Sequence, residues 1–128
     1  MEIVVGMKGR VDSFVEREDT AQELGFGKLL VYATPCMIAL MEGAAYEVLA
    51  EVLPEGKTSV GTEISVTHLS ATPVGMNVYA EAEITSVENN TITFSVKAYD
   101  EAGVIGEGIH KRSIVNAQRF LDNTYTKI

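Results

Sequence analysis

Cysteine is almost missing from this 128-residue chain, and basic residues are scarce. The single Cys36 excludes an intramolecular disulfide, and no Cys/His spacing of the kind that holds zinc occurs. With 10 Lys and Arg against 18 Asp and Glu the net charge is −8, and the pI lies near 4.7. That balance argues against nucleic acid or an anionic membrane as a partner, because both need a basic surface. No apolar run approaches the roughly 20 residues of a membrane span, and Met1-Glu2-Ile3 begins nothing like a secretory leader. Repeats, low-complexity tracts and linkers are lacking too. The expectation is a single cytoplasmic domain over residues 1–128. A chain of that size buries about two-thirds of its unfolded surface.

What is present is a strong pattern. Arg10 to Val15 reads as a strand, and residues 19–30, with Gly25 and Gly27 flanking Phe26, as a loop or lid. From Pro35 to Leu53 apolar residues recur with helical period. At about 100° per residue, Met37, Met41, Ala45, Val48 and Val52 share one side, opposite Glu47 and Glu51. Leu53-Pro54-Glu55-Gly56 stops the helix. Alternation then takes over. Val60, Thr62, Ile64, Val66 and His68 are expected on one strand face, and Ile92, Phe94, Val96 and Ala98 on the inner face of another. Glu88-Asn89-Asn90 and Asp100-Glu101-Ala102-Gly103 are turns, and the last strand runs from about Val104 to Asn116. The tail from Ala117 is expected to finish as a short helix. One long helix followed by a meander of antiparallel strands is an α+β architecture.

Three side chains stand out within that pattern. Glu42 leaves the solvated helix face and projects beside Ile38, Leu49 and Leu53, and a carboxylate at the edge of a core needs a partner or a job. His68 ends the inward face of the strand expected to pack on the helix, and an imidazole titrates near neutral pH. Thr34 stands just before Pro35, where it reads as an ordinary helix N-cap that can also orient a neighbouring group. Glu42 as a half-exposed helix carboxylate and His68 as a satisfied core histidine are the plainer alternatives. His110 reads as structural, since no carboxylate accompanies it in sequence. Cys36, in the first helical turn, reads as a small buried residue, although a helix N-terminus favours a thiolate.

The order of Val31-Tyr32-Ala33-Thr34, Leu40-Met41-Glu42, Val60-Gly61-Thr62, Val66-Thr67-His68 to Pro73-Val74-Gly75, and Gly108-Ile109-His110-Lys111-Arg112 resembles the fluoroacetyl-CoA thioesterase branch of the hotdog thioesterases. The likeness covers about residues 6 to 120. It implies a hotdog fold, a curled antiparallel sheet around one long central helix, with Thr34, Glu42 and His68 as the catalytic set. It further implies a pocket formed between subunits, hence a homodimer or a dimer of dimers, and no cofactor beyond the coenzyme A of the substrate. Thioester hydrolysis needs a carboxylate that attacks the carbonyl or a base that activates water, together with donors for the oxyanion. Gly61 would let the thioester approach the backbone, or it is a β-bulge glycine. Lys111 and Arg112 either meet coenzyme A phosphates or form a solvated surface. In the resembling enzymes two phenylalanines close over a very small acyl group. Here Phe26 stands alone between glycines, which shifts the expectation to short- or medium-chain acyl-CoA. The alternatives are a non-catalytic acyl- or CoA-binding module and a hydratase, which would need an Asp/His pair not found here.

Overall fold

A computed structural model describes residues 2–128 of the chain. Strand β1 (Lys8–Phe14) leads through a short 3₁₀ turn into helix α1 (Ala21–Leu24) and then the long helix α2 (Thr34–Ala50). Strands β2 (Lys57–His68), β3 (Asn77–Glu88), β4 (Thr91–Asp100) and β5 (Gly103–Asn116) follow, then helix α3 (Ala117–Thr124) and a closing 3₁₀ turn (Tyr125–Lys127). The strands form one antiparallel sheet in the order β1-β3-β4-β5-β2, and α2 touches all five. This is the α+β arrangement expected from the pattern. No helix among the described residues is long and apolar enough to cross a membrane.

Helix α2 forms because straight-chain and small residues dominate it, and it holds because one side is dry. Met37, Leu40, Met41, Ala44, Ala45, Val48 and Leu49 are buried. Each large apolar side chain removed from water stabilises by about 1.5–3 kcal/mol. Val78, Ala80, Ala82 and Ile84 of β3, and Ile92, Phe94, Val96 and Ala98 of β4, supply the opposing surface. The small alanines let the helix lie close to the sheet. Between β3 and β4, Asn89 takes the left-handed conformation (φ 57°) that an Asn in a tight turn tolerates.

Two expectations are corrected. Alternation in β2 breaks at a bulge between Gly61 and Glu63, where Thr62 is the extra residue. Before the bulge the residues facing the helix are Ser59 and Gly61, opposite Ile114 and Arg112; after it they are Ile64, Val66 and His68. Val60 and Thr62 therefore do not join the inward row. The loop expected over residues 19–30 contains α1, in which the Thr20 hydroxyl accepts from the Glu23 N–H and Gly25 closes the helix with φ 83°. Four residues are too few to show a helical period, so only the cap signals announce it.

Candidate active site

Thr34 and His68 are brought together. The Thr34 hydroxyl and His68 Nδ1 lie 2.8 Å apart. Thr34 is not the cap expected from sequence: Ala33 occupies the N-cap position without a side-chain bond, and Thr34 begins the helix. Pro35 has no N–H, and the Cys36 and Met37 amides both turn back to the Ala33 carbonyl, at 3.0 and 3.2 Å. That leaves little for a capping side chain to accept, and the hydroxyl is free to meet the imidazole.

Both partners are fixed by backbone. The Tyr32 N–H donates to the Thr72 carbonyl (2.9 Å) and the Ala33 N–H to that of Asp19 (2.8 Å), so the approach to α2 runs between two flanking segments. The buried Thr72 hydroxyl donates to Asp100 Oδ2 at 2.8 Å. The Leu69 N–H, next to His68, donates to the Ile105 carbonyl at 2.7 Å. Burial holds the His68 imidazole below its usual 6.5, against an upward pull from the Ser70 backbone. Its Nε2 is buried without a side-chain or backbone partner among the described residues. Thr34, His68 and Phe26 line a cavity of about 350 Å³, walled by Tyr32, Leu69 and Ala71.

Glu42 belongs to a second cluster. Its Oε2 accepts from Arg112 NH1 at 3.2 Å. The carboxylate is half-exposed, whereas the Arg112 side chain is 7% exposed. Arg112 also donates from Nε to Ser59 Oγ (2.8 Å) and from NH2 to the Ser59 carbonyl (3.0 Å). Its NH1 lies 3.1 Å from His110 Nε2. A guanidinium can only donate, so Nε2 is the acceptor; Nδ1 then carries the proton and donates to the Glu63 carbonyl at 2.8 Å. His110 is thus neutral, and its Nε2, 3.9 Å from Glu42 Oε2, forms no ion pair with it. Burial and Arg112 lower its proton affinity, while the Glu63 backbone and Glu42 raise it. Burial lowers that of Arg112 too, with Glu42 opposing.

The bulge makes room for this arrangement. A Cβ at Gly61 would collide with Glu42 Oε2 and stand 3.1 Å from His110 Cε1. Gly61 is therefore both a bulge glycine and a point of close approach. Within one chain the two clusters stay apart. Gly106, opposite His68, and Arg112, opposite Gly61, are six residues apart on β5, about 20 Å at the rise of a strand.

Other expectations are revised by the packing. Arg112 is not a solvated cation open to phosphates, since Ser59, His110 and Glu42 take up its donors. Lys111 alternates to the other face of β5 and is half-buried. His110 does have a carboxylate nearby, through Arg112. The legible signal was the spacing of His110, Arg112 and Ile114, which puts two polar groups in an inward row. Cys36 is no activated thiol, because burial and Asp19 push its pKa up. Phe26 is 64% exposed at the cavity mouth.

Comparison with known proteins supplies a context for these clusters. The family model for FlK, the fluoroacetyl-CoA-specific thioesterase, matches residues 15–118. The fluoroacetyl-CoA thioesterase of Streptantibioticus cattleyicolor is 41% identical over 90 residues, which span 70% of this chain and 65% of that protein. The match thus covers slightly less than two-thirds of the relative's length. A solved structure of the fluoroacetyl-CoA thioesterase FlK superposes with a TM-score of 0.93 at 34% identity, over 100% of this chain and 99% of that one. An alanine mutant of the same enzyme has been solved with fluoroacetate and CoA. A hot-dog-like protein from Thermanaerovibrio acidaminovorans gives a TM-score of 0.87 at 28% identity, covering 97% of this chain and 92% of its own.

Proposed function

The chain belongs to the fluoroacetyl-CoA-specific thioesterase family, and from that premise we propose that it hydrolyses short- or medium-chain acyl-CoA thioesters. The observation that carries the reading is the 2.8 Å contact between Thr34 and His68 at the wall of the 350 Å³ cavity. In this reading the cavity takes the acyl group, the thioester carbonyl lies beside His68, and Glu42 attacks it or activates water. The Arg112 contact on Oε2 fixes the orientation of Glu42 and leaves Oε1 to react. His68, held neutral by burial, accepts and returns a proton; Thr34 fixes its ring. No cofactor is required, coenzyme A being part of the substrate. Phe26, exposed at the cavity mouth, forms a loose cover, which favours general acyl groups over fluoroacetyl alone. The compartment we propose is the cytoplasm, where the thiol of Cys36 stays reduced.

The working unit in this proposal is a homodimer. Strand β2 lies at the sheet edge, and its 12 residues leave one side unpaired. Antiparallel pairing of two such edges runs the Lys57 end of one copy toward the His68 end of the other. It brings Glu42 closer to the partner subunit's His68 than to its own.

Free thiol released from acetyl-CoA through octanoyl-CoA, with fluoroacetyl-CoA alongside, tests the chemistry. Turnover across the short and medium chains is expected; binding without thiol release would leave a non-catalytic acyl-CoA module. Mixing subunits tests the assembly. Glu42→Ala and His68→Ala are each expected to be inactive alone. Once exchanged into mixed dimers they should recover about a quarter of the wild-type sites, because half the dimers carry one intact site. No recovery in proven mixed dimers would put both groups in one subunit.

A further inference from the structure

We propose that His110 is a positioning residue of this enzyme: its Nε2 lone pair fixes the Arg112 guanidinium, which in turn orients the Glu42 carboxylate. The inference rests on Glu42 being the working acid. Arg112 points inward from β5 into a place where a guanidinium must find an acceptor for each donor. Ser59 provides two, through Oγ and its carbonyl, at 2.8 and 3.0 Å. These take the Nε proton and one of the two on NH2, and the contacts to the Glu42 side fall to the two protons of NH1. One is directed to Glu42 and the other to His110 Nε2, at 3.2 and 3.1 Å.

Ser59 alone would allow the fork to tilt, whereas a third acceptor on NH1 fixes its plane. The choice of tautomer is enforced from the far side of the ring, because only a protonated Nδ1 can donate to the Glu63 carbonyl at 2.8 Å. Phe94, with ring centroid 6.3 Å away at an interplanar angle of 29°, supports the imidazole from β4. The relay therefore runs from the β2 backbone at Glu63, through His110 and Arg112 on β5, to Glu42 on α2. A protonated His110 would turn an acceptor into a second cation facing Arg112.

The test has a spectroscopic arm and a kinetic arm. In the ¹⁵N-labelled wild type, long-range correlations to the ring should report protonated Nδ1 and bare Nε2 for His110. The opposite tautomer would overturn the proposal whatever the activity. Kinetically, His110→Phe should lower kcat about tenfold with KM little changed, as expected for a group that acts on the reacting acid and not on binding. His110→Gln, whose side-chain carbonyl can accept from Arg112, should recover much of that loss. In an Arg112→Met background, His110→Phe should have no further effect; losses that multiply would mean that His110 acts independently of Arg112, and would sink the idea. Full activity in Glu42→Ala would instead refute the underlying reading of the acid, while the tautomer measurement would still report on the His110–Arg112 bond.

Discussion

Glu42→Ala and His68→Ala should each lower kcat by about a hundred- to ten-thousandfold, the range set by positioned acid-base groups. The two losses have different signatures. Glu42→Ala removes the partner of Arg112 NH1, so a buried cation loses its carboxylate. His68→Ala removes a ring whose side-chain partner is Thr34, and it should leave the fold intact. The pH profile separates them further. Burial holds the folded His68 below 6.5, so the wild type should gain activity as pH rises through that lower value and the base becomes neutral. The same group opposes folding in acid: the unfolded chain binds the proton more readily, so stability is present above 6.5 and is lost as pH falls through the folded value. The acid limb of the activity profile should disappear from the residual turnover of His68→Ala. Turnover of either variant within a few-fold of wild type, measured by thiol release, would remove that residue from the mechanism.

Gly61→Ala should lose about ten- to a hundredfold in kcat and yet keep most of its thermal stability. An added methyl would occupy the place of Glu42 Oε2. The obstacle is the far end of a half-exposed side chain, so the carboxylate can swing away at little cost to the fold. Once displaced, it no longer receives the Arg112 NH1 proton, and the working acid is misplaced by about an ångström or more, enough to cost around a hundredfold in a positioned group. Thermal unfolding and kcat measured on one preparation decide the matter. Equal damage to both would mean that the contact serves packing alone.

Much of the frame could be read from residue spacing. The inner row of β4 was visible because a sheet buried on one face imposes strict alternation, and Ile92, Phe94, Val96 and Ala98 obey it without interruption. Glu42 was visible because it breaks the polarity of α2. The first half of β2 departs from the expected alternation because a bulge leaves no mark on hydrophobic periodicity when the residues around it are Ser, Val, Gly and Thr. The role of Arg112 was hidden for a similar reason. Arginine is expected at the surface, and only the simultaneous presence of Ser59, His110 and Glu42 lets it turn inward. Thr34 shows the limit of local rules: the Thr-Pro pair suggests a cap, yet an imidazole from a distant strand claims the hydroxyl.

Thr62 has an implication for how the gene can drift in length. Strand β2 holds one residue more than its ladder with β5 requires, and that surplus falls at Thr62 alone. Losing this codon would smooth the strand while Gly61 and His68 both kept their orientation toward the helix. Losing any codon from 64 to 67 would instead rotate the imidazole to the outer side, because a strand reverses facing with every residue. Deletions in this strand are therefore tolerable at the bulge and ruinous beyond it.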